Sequence, residues 1–303
     1  MNILNLANPK DQLSLQYEVS SFPDGQQSIK ILEGTYSKYE TIKETDYVKI
    51  KSRLNTFRDL ELIICATQAL REIGVKNIQL YIPYCIGGRS DRKFIDGSFN
   101  YIKSVIAPVI NLQGYTQVEI MDPHSDVLEA CINNFKKIDN IELVSFALKD
   151  YFIDIKGKTH TDYATMNLVS PDAGALKKVF HVAEKIGFKG EVIIASKHRN
   201  LETGKIDYTH VPLNVNDADK DMFIIDDICD GGRTFIEIAK AIRQSQSLSS
   251  AITPDRYGKV YLIVTHGIFS AGFGELNNYF HRIYSTNSIA DHNNSQLKQL
   301  NVF

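Results

Sequence analysis

The chain has 303 residues, 43% of them hydrophobic and 23% charged, with a formal net charge of −2. That length holds two domains of ordinary size, and the near-neutral balance lacks the basic surplus that nucleic-acid binding draws on. No apolar run approaches the roughly 20 residues of a membrane helix; the opening MNILNLANPKDQ has no signal-peptide core, and Cys65, Cys85, Cys131 and Cys229 form no CxxC pair, so neither zinc nor disulfides are expected and a reducing cytoplasm fits.

In chain order, DLELIICATQALREIG (59–74) predicts a helix, with apolar residues recurring at three and four before a glycine stop. NIQLYIPY (77–84), QVEIMD (117–122), YATMNLVSPD (163–172), EVIIASK (191–197), MFIIDD (222–227) and KVYLIVTH (259–266) predict strands. GALKKVFHVAEKIGF and RTFIEIAKAIRQ predict helices between them. This rhythm is the α/β pattern, with mainly parallel sheets covered by helices on both faces. The connection over 134–160 is the weakest in the pattern, and a domain boundary is expected near 145, giving domains 1–145 and 146–303. The tail SIADHNNSQLKQLNVF, polar and then apolar at NVF, is expected to dock as a last strand.

Open parallel sheets bind ligands beyond the carboxyl ends of their strands. The loops there read CIGGRSDRK, DPHSD, SPDAGA, SKHRN, DDICDGGRT and THGIFS, and most carry charges or glycines suited to phosphate or metal. In DDICDGGRT, Gly231 and Gly232 open backbone angles closed to other residues. Their N–H groups can then converge on an anion beside the positive end of the helix that begins near Thr234. Thr234 offers a hydroxyl and Arg233 a fork of donors to phosphate oxygens. Asp226 and Asp227 repel phosphate and suit ribose hydroxyls or a magnesium ion. The competing reading is a glycine turn with an acidic helix cap.

FIIDDICDGGRT resembles the phosphoribosyl-binding signature shared by type I phosphoribosyltransferases and phosphoribosyl pyrophosphate synthetases. SFPDGQQSIKI, RDLELI, IPYCIGGRSDRK, MDPHSD, VSPDAGA, SKHR and THGIFS resemble further synthetase segments, in family order from residue 22 to 270. The chain therefore looks like a divergent member of the ribose-phosphate pyrophosphokinase family. The resemblance implies two phosphoribosyltransferase-like domains, the first on the ATP side and the second carrying the catalytic and ribose-phosphate loops. It implies magnesium-dependent transfer of the β,γ-diphosphate of ATP to the anomeric hydroxyl of ribose 5-phosphate, with release of AMP.

Residue by residue, Lys197 and Arg199 match the family's catalytic loop, followed by a flap in LETGKIDYTHV. His124 and Asp172 match its metal-associated histidine and aspartate. Asp172, Ala173, Gly174 and Ala175 match the pyrophosphate loop. Arg89, Ser90, Asp91 and Arg92, with Phe22, Asp24 and Gln26, match ATP-binding segments. The segment with Phe22 and Asp24 reaches a neighbouring subunit in the family, so a homo-oligomer with shared ATP sites is implied. Asp226, Asp227, Asp230, Gly231, Gly232, Arg233 and Thr234 match the ribose-phosphate loop.

Four departures stand out: Arg233 where the family's D-T-G-G-T has no arginine, Gln26 for a glutamate, Gly88 and Ser90 in the ATP segment, and Ala175 for a second glycine. An arginine in a glycine-opened loop suits a phosphodiester at least as well as a terminal phosphate. The acceptor is thus ribose 5-phosphate or a larger 5-substituted ribose such as ADP-ribose, which would serve NAD resynthesis. A non-catalytic regulatory relative and a phosphoribosyltransferase are the competing classes.

Overall fold

The computed structural model describes residues 2–11, 13–32, 47–93, 95–199, 206–214, 217–249 and 252–303. It divides into two compact units, Met1–Asp139 with Val302–Phe303, and Asn140–Asn301.

The first unit runs β1 (Asn2–Asn5), β2 (Tyr17–Ser21), β3 (Gln27–Ile31), β4 (Tyr47–Lys51), α1 (Phe57–Glu72), β5 (Asn77–Tyr81), α2 (Ala107–Leu112), β6 (Gln117–Met121), α3 (Val127–Cys131) and β7 (Phe135–Ile138). Five of its strands form one sheet in the order β1-β4-β5-β6-β7, every neighbouring pair parallel. β2 and β3 form a separate antiparallel hairpin. Helix α1 begins where Thr56 accepts from the amide of Asp59 while Asp59 accepts from the amide of Thr56. This reciprocal cap satisfies two donors that an uncapped helix leaves open.

The second unit runs α4 (Ile141–Asp150), β8 (Met166–Ser170), α5 (Leu176–Lys185), β9 (Val192–Ile194), β10 (Ser196–Arg199), β11 (Ile206–His210), β12 (Asp221–Cys229), α6 (Arg233–Ser247), β13 (Val260–Gly267), α7 (Leu276–Tyr279), β14 (Arg282–Thr286) and β15 (Leu297–Leu300). Its sheet has the order β15-β14-β13-β12-β8-β9, again parallel throughout. β10 and β11 form an antiparallel hairpin outside it. The central strand β12 is apolar on both faces because helices cover both. Met222 and Ile224 face a core that includes Ile238 and Ile242 of α6. Phe223 and Ile225 face a core that includes Val144 of α4 and Val179 of α5. In that second core the Phe223 and Tyr261 rings stack at 4.5 Å, and Tyr151 stands edge-on to both.

The expected strands and helices are present, with shifted ends. Some details are finer than the sequence reading. Near the expected boundary, Leu143, Val144, Ala147, Leu148, Tyr151 and Phe152 recur at helical spacing and are buried, and the compact units divide between Asp139 and Asn140, before α4. The tail supplies the last strand, β15, which ends at Leu300, and Phe303 packs against Tyr81 and under Arg53 in the first unit. EVIIASK divides into β9 and β10, with Ala195 between them donating its amide to the carbonyl of Ser170 at the end of β8. Among the described residues, no helix is long and apolar enough to cross a membrane.

Candidate active site

In the second unit, the chemistry-bearing residues gather at the ends of β8 and β12. Side chains alternate along a strand. Asp227 therefore continues the face of Phe223 and Ile225, where its Oδ2 lies 3.2 Å from Nζ of Lys178 on α5. Asp226 points to the other face, and its Oδ1 accepts from the amide of Asp227 at 2.9 Å. Burial first, then the charge of Asp227, push the Asp226 carboxyl well above the usual carboxylate range, and Asp172 adds to the effect. The three acids thus sit near one another, and Asp226 is the one that gains most from an incoming cation or a hydroxyl donor.

In the loop after β12, only Gly232 of the two glycines takes up a left-handed backbone angle. Gly232 has φ 81 and precedes α6 directly. A Cβ there would stand 2.8 Å from a methyl of Leu276, so glycine is required by both conformation and space. Gly231 is half-buried with ordinary room around it. Arg233 is exposed and Thr234 half-buried. Asp230 is tied to the next loop, where the Ser270 hydroxyl donates to its Oδ1 at 2.6 Å. The amides of Ile268 and Phe269 donate to the carbonyl of Cys229. Two adjacent strand-end loops therefore brace one another.

After β8, Oδ1 of Asp172 accepts from the amides of Gly174 and Ala175 at 3.0 and 3.1 Å. Ala173 and Gly174 are exposed and Ala175 is buried. Ala175 has φ −77, so alanine replaces the family's glycine without strain. Lys197 and Arg199 lie in β10, opposite Thr209 and Ile206 of β11, with an irregularity between His198 and Arg199. Their side chains, and residues 200–205 of the expected flap, lie outside the described residues.

In the first unit, the segment of Arg89 to Arg92 meets the loop after β6. Asp91 is buried, whereas Arg89, Ser90 and Arg92 are exposed. Burial opposes the charge of Asp91, but hydrogen bonds from Ser125 and Arg92 and the nearby His124 hold its carboxyl below the usual range. Asn100 closes the turn by donating to the Asp91 carbonyl. Gly87 has φ 77, and a Cβ on it would strike the Tyr101 ring. His124 is exposed and follows Asp122, which is buried with φ 39. A non-glycine residue held in that region marks a loop whose shape is fixed by its surroundings. Phe22, Asp24 and Gln26 are exposed at the turn of the β2–β3 hairpin, where the Gln26 amide donates to Asp24 at 3.1 Å.

Sequence reasoning missed Lys178, Ser125 and Ser270 as partners of these acids. Ser125 and Ser270 stand within the loops DPHSD and THGIFS, but a serine announces no partner until the fold supplies one. Among the described residues, no three His, Cys, Asp or Glu side chains are grouped to hold a metal.

No family model matches the chain. The ribose-phosphate pyrophosphokinase of Pyrococcus furiosus is 27% identical over 262 residues, spanning 84% of this chain and 79% of its own. That of Thermosipho africanus is 27% identical over 283 residues, spanning 91% and 79%. That of Saccharolobus solfataricus is 25% identical over 228 residues, spanning 75% and 71%. The crystal structure of phosphoribosylpyrophosphate synthetase from Mycobacterium smegmatis superposes with a TM-score of 0.74 over 100% of this chain and 95% of its own, at 19% identity. The architecture is thus that of two phosphoribosyltransferase-like domains, each a mainly parallel sheet flanked by helices. Within that class, the chain is a divergent homologue of the ribose-phosphate pyrophosphokinases, which are diphosphotransferase enzymes.

Proposed function

We propose that the protein transfers the β,γ-diphosphate of ATP to the anomeric hydroxyl of a 5-phosphorylated ribose, with ribose 5-phosphate as the first acceptor to test. The observation that carries this reading is the end of β12. Two carboxylates stand there, Asp226 with its pKa raised, and they run directly into a glycine-opened helix N-terminus. The acids suit sugar hydroxyls, and the amides, Thr234 and Arg233 suit the phosphate on that sugar.

In the reaction, the anomeric oxygen bonds to the β-phosphorus. The bond from that phosphorus to the α–β bridging oxygen breaks, AMP departs, and the hydroxyl proton is lost to solvent or to a carboxylate. Lys197 and Arg199 would neutralise the charge that grows on the bridging and β oxygens. The exposed Arg89 and Arg92 would hold the nucleotide phosphates. The hairpin tip with Phe22, Asp24 and Gln26 would complete the ATP site of a second copy, making the working form a homo-oligomer. The Asp226 carboxyl, its pKa raised beside other acids, fits a hard divalent cation. No metal-holding cluster is preformed among the described residues; in the second unit Asp172, Asp226 and Asp227 would offer carboxylate oxygens to magnesium, and in the first unit His124 would offer a ring nitrogen. Bound there, it would offset negative charge on the phosphates.

The exposed Arg233 supports a second acceptor, ADP-ribose, whose phosphodiester carries less charge than a terminal phosphate and continues beyond it. Incubation of the protein with ATP, magnesium and either acceptor, with AMP and products followed by mass spectrometry, decides between them. AMP with phosphoribosyl pyrophosphate supports the first reading, and AMP with a diphosphorylated ADP-ribose the second. AMP with neither acceptor ends both. Arg233→Thr should shift preference toward ribose 5-phosphate by about tenfold, the worth of one charge-assisted hydrogen bond of about 1.4 kcal/mol; an unchanged acceptor ratio removes Arg233 from acceptor choice.

A further inference from the structure

The second unit contains a cavity of about 340 Å³ away from the strand-end loops. Its walls come from α4 and the π-type turn that follows, from residues 158–163 leading into β8, and from the end of α5. It therefore opens beside the start of β8, whereas Asp172 follows the end. The five residues of β8 separate the two places by roughly 13–17 Å at about 3.3 Å per residue.

The lining divides into two kinds of surface. Leu148, Phe152, Tyr163 and Ile186 give an apolar and aromatic floor. Lys149, Lys158, Lys185 and His160 stand around it with the hydroxyls of Thr159 and Thr161. Lys158 is paired with Asp162 at 2.8 Å. Lys149 and Lys185 have no carboxylate within ion-pair distance among the described residues. Lysines near helix ends commonly answer the negative end of the helix dipole. That account covers Lys185, which ends α5. It does not cover Lys149, because α4 continues without a break through Tyr151–Ile155. Two unpaired ammonium groups, a histidine and two threonines around a ring-lined floor of this size match a small ligand that carries phosphate at one end and a flat ring at the other.

We infer that this cavity is a second binding site, distinct from the strand-end loops, for a nucleoside monophosphate or a molecule of the same build. The inference does not rest on the diphosphate-transfer reading, since the cavity shares no residue with that site. The test is amine-selective labelling of the full-length protein, read by mass spectrometry at Lys149 and Lys185, with AMP, inorganic phosphate or adenosine as the probe. AMP at about ten times its Kd should slow labelling at both lysines about tenfold, phosphate should protect less, and adenosine hardly at all. In equilibrium dialysis, the Lys149→Glu, Lys185→Glu double variant should bind one AMP fewer per chain than the native protein. Unprotected lysines overturn the site. Equal protection by phosphate and AMP overturns the role of the ring floor. An unchanged AMP stoichiometry in the folded double variant overturns the site as well, and if that variant does not fold, the labelling of the native protein decides alone. Turnover enters none of these readouts, so an enzyme inactive on both acceptors leaves them intact.

Discussion

Asp91 in the first unit and Asp226 in the second are both aspartates withdrawn from solvent beside a strand-end loop, yet their surroundings push them in opposite directions. Asp91 is met by donors and positive charge: the Ser125 hydroxyl, the Arg92 guanidinium and His124. Asp226 is met by two more acids, Asp227 and Asp172. The first environment completes itself, so Asp91 holds its loop in shape. In the second, Lys178 answers Asp227, while Asp226 faces other acids, which a substrate hydroxyl donor or a cation can offset. Burial alone does not tell a structural carboxylate from a working one; the sign of its neighbours does.

The sharpest way to break this contrast is to neutralise each acid in turn. Asp226→Asn should lower the initial rate of AMP formation by about a hundredfold, the scale lost with one electrostatic contact to the reacting groups. Its melting temperature should hold or rise, because a repulsion is removed. A large fall in stability with little change in rate would reverse the assignment. Asp91→Ala should instead cost about 1–3 kcal/mol in denaturant unfolding, since Ser125 and the buried turn lose their acceptor.

Next in size is the backbone of the phosphate loop. Gly232→Ala must place a Cβ at φ 81 against Leu276, at a conformational cost of about 1–2 kcal/mol before any steric contribution. Gly231→Ala, with ordinary room around it, should cost less in the same urea titration. Equal losses would mean that the loop differs from the one described.

The smallest effect is the dependence of stability on pH. Asp226, raised above the ordinary aspartate value of 3.8, favours the folded state fully below that value and loses the contribution as pH rises through its folded pKa. Asp91, lowered from 3.8, contributes above that value and loses the contribution as pH falls through its folded pKa. The stability advantage of Asp226→Asn over the native protein should therefore widen from about pH 4 upward, while the deficit of Asp91→Ala should narrow only in more acid solution. Paired unfolding curves across that range check both slopes.

Much of the second unit was legible in the sequence because its strands are short apolar runs that end in charges, as MFIIDD does. The helix start after β12 was legible too, because two glycines ahead of a helical pattern mark a turn, although which of them takes the left-handed angle was not. Helix α4 was passed over although its apolar residues recur at helical spacing, because Ser145 and Lys149 break the run to the eye. In the first unit, β1 and β4 are four- and five-residue strands that become strands by pairing with each other, a contact no local pattern announces. The partners of the site acids were hidden for a related reason. Lys178 is far from Asp227 in sequence, and only the packing of α5 on β12 joins them.

The stacked pair Phe223 and Tyr261, with Tyr151 edge-on, belongs to a chain that has fifteen tyrosines and no tryptophan. Its ultraviolet emission is therefore tyrosine emission, with Tyr151, Tyr261 and Tyr284 contributing from the interior of the second unit. A single tryptophan placed at Phe22 would be spectrally alone in the molecule. Excited selectively, it would report on the hairpin tip of the first unit without interference from the native tyrosines, which are spread over both units.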